Sequence, residues 1–215
     1  MECHSVISEP STQNTSFTFQ HTALVRKDFE RHIAEHIVHE VYRNGLHGHW
    51  RCAKPNTGIY SFCVTTWPGY LAYTGDMGDY VFSRTYDMLT WMSDACRAPA
   101  YASEKCVAAN HNGIYQYCDE IFQEQLDQRL AELEEWSAST GKQVPPDTLD
   151  AINEVRGAAS DGEHFALHAM YMSGLWDEIP SCRTFTFHFL WCLHAIDWFC
   201  QKLTDGDIVM ESKDA

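Results

Sequence analysis

The segment from Phe185 to Leu203, FTFHFLWCLHAIDWFCQKL, constrains this chain more than any other part of it. It is apolar on nearly every side, and a helix of that kind has to be buried. A bilayer would bury it, but His188, His194, Asp197 and Lys202 lie inside it. Ionisable groups at the bilayer centre cost roughly a few kcal/mol each. The segment therefore predicts a helix, about 183–203, at the centre of a protein core. Cys192 and Cys200 would serve there as small hydrophobes. A carboxylate in such a helix must be paired, or it becomes neutral. His194, three residues before Asp197, lies on the same side. The two form a candidate polar site, a tuned acid or base on one reading and a satisfied core pair on the other.

The rest of the chain supplies what this helix packs against. Phe29, Ile33, Ile37 and Val41 recur every four residues and predict a helix over about 24–43, ended by Asn44-Gly45. Short strands are expected at 50–54, 59–67, 70–74 and 80–83, where β-branched and aromatic residues concentrate. Pro68-Gly69 and Gly75-Asp76-Met77-Gly78-Asp79 are the turns between them. Helices are expected over about 87–96, 113–137, 148–158 and 164–176. Residues 1–22 are polar and without a clear period, and read as a flexible arm. Residues 204–215 are a short polar tail. Strands followed by helices indicate an α+β fold. The expectation is one domain over 23–215, with a small antiparallel sheet of three to four strands (about 50–84) against several helices (about 87–203). The hydrophobic content of 45% is ample for such a core.

Charge narrows the partners. The net charge is −15, and 119–180 alone carries 14 acidic and 3 basic residues, a net −11. In the predicted helix, Ile121, Phe122, Leu126, Leu130 and Leu133 make one apolar stripe. Asp119, Glu120, Glu124, Asp127, Glu132, Glu134 and Glu135 occupy the other side. This distribution argues against direct nucleic-acid binding and against anionic membranes, since both need cationic surface. It suits a protein partner with a basic surface, and a merely solvated helix face is the alternative. The nine cysteines contain no C-x-x-C, and MECHSVISEP has no secretory pattern. Free, mostly buried thiols in a reducing cytoplasm are expected.

One short motif carries metal chemistry. His32-Ile33-Ala34-Glu35-His36 is H-x-x-E-H and resembles the metal-binding motif of inverzincin metalloproteases over those five residues. On a helix, residues four apart place both imidazoles on one side to hold zinc, with Glu35 as general base on a bound water. His39 extends the stripe, and Glu104 or Glu120 would have to supply the third ligand. His47, His49 and Cys52 would join that cluster to form a mixed nitrogen–sulfur site, a polar loop entering a strand being the other reading. Asp76 and Asp79 share a turn and are a weaker candidate for a hard cation. No phosphate-binding loop, dinucleotide fingerprint or nucleophile elbow is present.

Two further stretches carry a family resemblance. Trp50-Arg51-Cys52, Pro68-Gly69, Gly75-Asp76, Val81-Phe82-Ser83-Arg84, Asp87-Met88 and Phe189-Leu190-Trp191-Cys192 together resemble an uncharacterised family of bacteriophage and prophage proteins. The resemblance covers about 50–91 and 185–198. It implies a small sheet with a helix packed on it, and adds Asp76, Arg84 and Asp87 as polar site candidates. It brings no reaction with it. What it implies is a phage-encoded accessory protein in the host cytoplasm that acts by protein–protein interaction, such as an anti-CRISPR-like inhibitor of a host defence or of a nucleic-acid-handling complex. A zinc-dependent hydrolase built on H-x-x-E-H is the alternative, and a homodimer stays open.

Overall fold

The computed structural model describes residues 16–210, so most of the expected arm and the last five residues lie outside the described range. In chain order the elements begin α1 (Ser16–His32), β1 (Ile37–Asn44), β2 (His47–Ala53), β3 (Phe62–Trp67), β4 (Tyr70–Gly75) and β5 (Gly78–Ser83). Then come α2 (Met88–Ala95), α3 (Pro99–Glu104), β6 (Cys106–Ala109), β7 (Tyr115–Tyr117), α4 (Asp119–Thr140) and α5 (Pro146–Gly157). A short 3-10 turn, α6 (Glu163–Ser173), β8 (Arg183–Phe185), α7 (Phe187–Asp205) and β9 (Val209–Met210) complete the described chain. The fold is α+β. The described residues divide into two compact units: a sheet unit with residues 20–114 and 185–210, and a helical unit with residues 115–184 together with 16–19.

The sheet is larger than the three to four strands expected. Seven strands run in the order β6-β5-β4-β3-β2-β1-β9. Neighbours from β1 to β6 pair antiparallel, and β9 joins β1 in parallel. The largest correction is β1, because the expected helix over 24–43 stops at His32. A spacing of four is also a multiple of the strand period of two, so Ile37 and Val41 fit either element. Ile37-Val38-His39-Glu40-Val41-Tyr42 is rich in β-branched and aromatic residues, which favours the strand. Asn44-Gly45 then turns a hairpin rather than capping a helix: Asn44 pairs with His47, and Gly45 takes φ 59°. The strands β6 and β9, four and two residues long, are too short to show a period.

The β3–β4–β5 meander matches the expected strands and turns, and Asp76-Met77 is the two-residue loop between β4 and β5. One sheet face carries Trp50, Phe62, Val64, Leu71, Tyr73, Tyr80 and Phe82, all buried. Packed with them are Val25, Phe29 and Ile33 from α1 and its end, Met88 and Met92 of α2, and the apolar residues of α7. The final helix is central, as its composition requires: Phe199 lies 5.2 Å from Trp50, Phe189 5.4 Å from Tyr80, and Trp191 6.0 Å from Phe62, between ring centroids. It starts later than expected because Arg183–Phe185 is strand, and the Thr186 side chain caps it by accepting from the Phe189 N–H.

The helical unit has its own core of Phe122, Leu126, Ile152, Val155, Ala166 and Met170. Of the expected α4 stripe, Ile121, Phe122 and Leu126 are buried, while Leu130 and Leu133 are half-buried. The helix expected from 113 begins only at Asp119, since Tyr115–Tyr117 forms the β7 strand beside β8.

Candidate functional site

The H-x-x-E-H segment does not lie on one helix. His32 ends α1, and Glu35 and His36 occupy the turn into β1, so the four-residue helical spacing that would aim both imidazoles at one ion is absent. Each ring is engaged elsewhere. Trp191 Nε1 donates to His32 Nδ1 at 3.2 Å, which fixes the His32 proton on Nε2. The His32 ring stacks on Tyr60 at 3.9 Å. His36 Nε2 donates to the Tyr60 carbonyl at 3.1 Å, which leaves Nδ1 buried without a partner. Tyr60 itself sits at φ 58°, and its N–H donates to the Asp76 carboxylate at 2.8 Å. A bulky residue in that region is strained by about 1–3 kcal/mol, and His36 and Asp76 hold it from both sides. Glu35 pairs with Lys54 at 2.5 Å. His39 is paired with Arg51 across the β1–β2 ladder, and His49 Nδ1 lies 2.8 Å from Thr65 Oγ1. Glu104 pairs with Lys105, and Cys52 is buried in the core. Among the described residues, no three His, Cys, Asp or Glu side chains are grouped to hold a metal ion.

His194 and Asp197 are brought together differently than expected. Both line a small cavity of about 160 Å³ with Arg26, Glu30 and Phe29, but Asp197 takes Arg97 as its cation at 2.9 Å and is only 14% exposed. His194 hydrogen-bonds to the Thr22 backbone, and its Nε2 is buried without a partner. Burial lowers the pKa of His32, His36 and His194, and the Arg31, Lys54 and Arg26 charges beside them push the same way. The folded state therefore keeps these rings neutral, and their contribution to stability is complete above the ordinary value of 6.5. It is lost as pH falls through 6.5 towards the lowered folded values. We expect the unfolding free energy to fall between pH 7.5 and 5.5, and His194→Gln to flatten that slope; a denaturation series across the two pH values checks it.

The remaining polar candidates have structural partners. Asp87 caps α2, accepting from Thr90 N at 3.1 Å and Thr90 Oγ1 at 2.8 Å. Arg84 hydrogen-bonds to the Tyr101 side chain. Asp79 is exposed, opposite Thr74 in the β4–β5 ladder. The eight described cysteines are free, and six of them are buried. Burial pushes the Cys96, Cys182 and Cys200 thiols up to about 12, which leaves them protonated and unreactive. No described helix is long and apolar enough to cross a membrane.

The carboxylates of the helical unit are the largest ionic feature. Asp127 pairs with Arg156 at 2.9 Å, Glu132 with Arg129 at 2.8 Å, and Glu163 with Arg183 at 2.5 Å. The other 11 of the 14 acidic residues in 119–180 pair with no cation among the described residues. Asp119, Glu120, Glu134, Glu135, Asp147, Asp150 and Glu154 are exposed, and Glu124 is half-buried. The sheet unit also carries an apolar-walled groove that no sequence pattern marks: Tyr86, Trp91 and Tyr101 line it with Asp87 and Asp94. Its residues come from a turn and two short helices, so no periodicity marks them; the one signal was the number of aromatic residues between 86 and 101.

No protein-family model, no curated protein and no solved structure matches this chain.

Proposed function

We propose that this protein is an acidic accessory protein that acts by binding another protein, with the carboxylate face of its helical unit set against Lys and Arg of the partner. The observation that carries this reading is the set of exposed carboxylates on α4 and α5 that no cation of the described chain neutralises. Burying like charges against a basic surface relieves their mutual repulsion and speeds encounter. The resemblance to phage proteins supports a phage origin and a host partner in the cytoplasm. A complex that handles nucleic acid fits the chemistry, because its basic surface is built for phosphate and an acidic protein can occupy it.

The test is the triple substitution Glu132→Gln, Glu134→Gln and Glu135→Gln. Partner capture from bacterial extract, quantified for the wild-type and substituted chains, should show about threefold weaker binding for the latter: Glu134 and Glu135 lose unpaired charge, Glu132→Gln releases Arg129 as an uncompensated cation, and each of the three changes is worth roughly 0.2 kcal/mol or more. Binding of the wild-type chain should also weaken as salt rises from about 0.1 to 1 M, where the screening length shortens from about 10 to 3 Å. Unchanged affinity for the substituted chain would reject α4 as the contact.

A further inference from the structure

We infer that the groove beside α2 is a binding site for an arginine side chain of a protein partner. The inference rests on the reading of this chain as a binder of basic surfaces, and it uses residues of the sheet unit alone. The groove is a shallow, open one of about 700 Å³, which suits a single side chain of a docked partner. It is lined by Tyr86 and Asp87, by Trp91 and Asp94 of α2, and by Ala98 and Tyr101.

Three aromatic rings reach this space. Tyr86 is 73% exposed and Tyr101 39%, and Trp91 is half-buried. The Trp91 and Tyr101 rings meet edge to face, 5.5 Å apart at 65°. A corner of that kind presents ring faces in two directions, which is how aromatic sites surround a cation. Tyr101 is held by Arg84 and Trp91 beside its side chain, and its ring already carries the Lys105 ammonium 5.3 Å from the centroid, so the open ring faces are those of Tyr86 and Trp91 and the open charge is that of Asp94.

Two carboxylates complete the groove. Asp87 is fixed by its bonds to Thr90 N and Oγ1. Asp94, two turns further along α2, is exposed and pairs with no cation among the described residues. Arg97, the cation that follows it in the chain, is held at 2.9 Å by Asp197. A neutral apolar occupant would leave the Asp94 charge facing it unpaired. A guanidinium is planar and weakly hydrated, so it stacks on a ring while forking two hydrogen bonds to a carboxylate. An ammonium offers only a point charge and keeps its water more firmly.

The experiment titrates the isotope-labelled full chain with N-acetyl-arginine amide, with the lysine analogue alongside, and follows backbone and indole signals. Saturable shifts at Tyr86, Trp91, Asp94 and Tyr101 are expected with the arginine probe. Asp94→Asn and Tyr86→Ala, both at exposed positions, should each weaken it about two- to fivefold. The α4 triple substitution should leave this response unchanged, so the groove and the carboxylate face stand or fall separately. Shifts confined to the carboxylates of α4 and α5, no saturable response, or an equal response to the lysine analogue would overturn the assignment.

Discussion

Trp191→Ala should lower the stability of the sheet unit by about 3–5 kcal/mol, the usual range for removing a buried aromatic side chain. Trp191 is fully buried on α7. Its ring meets Phe29 of α1 edge to face at 5.1 Å and Phe62 of β3 at 6.0 Å and 88°. Its indole N–H also donates to His32 Nδ1. One residue therefore joins the first helix, the sheet and the last helix, and alanine would leave a cavity bordered by all three. Trp191→Phe keeps most of the packing and removes the N–H, so its loss should be clearly smaller. Hydrogen exchange of the β3, β4 and β5 amides reports this unit by itself. Acceleration of roughly two orders of magnitude or more for Trp191→Ala is the expected reading. Little change would mean that α1 and the sheet do not depend on this contact.

The second large effect comes from a glycine. A Cβ on Gly75 would stand 2.5 Å from the Ser61 carbonyl oxygen and 2.8 Å from Phe62 Cα. Both are backbone atoms, and Phe62 is the ladder partner of Gly75, so relief requires the two strands to part. Separation would also loosen the Asp76 N–H bond to the Ser61 carbonyl, 3.1 Å, and the Asp76 support of strained Tyr60. Gly75→Ala should cost about 1–3 kcal/mol or more, as overpacked sites do. Gly58→Ala is the control, since its nearest neighbour would be the Ser61 Oγ at 3.9 Å. Thermal unfolding of the two variants separates them: a clear drop for Gly75→Ala and little change for Gly58→Ala.

The sequence made the central helix, the β3–β4–β5 meander and the α+β class legible, because composition and turn residues there agree. It misled at 37–44, where a four-residue apolar spacing fits a strand as well as a helix. That error also carried the reading of H-x-x-E-H, whose chemistry depends on a continuous helix. The histidines instead close the α1 end onto Tyr60 and Trp191, a role that depends on residues 24 to 159 positions away and that no local pattern encodes. Asp197 takes Arg97, 100 residues earlier, as its partner, and not its neighbour His194. The acidic face was legible because charge on a helix surface is a matter of composition and period. The aromatic groove was not, because Tyr86, Trp91 and Tyr101 converge only through the α2–α3 turn.

The most direct test of the proposed function is zero-length carbodiimide coupling of carboxylates to lysines in bacterial extract, with the joined peptides read by mass spectrometry. Couplings from Glu132, Glu134, Glu135, Asp147, Asp150 or Glu154 to lysines of one partner, reduced by the triple Glu→Gln substitution, are the predicted result. Couplings to a partner that come only from carboxylates of the sheet unit, and persist in the substituted chain, would contradict it.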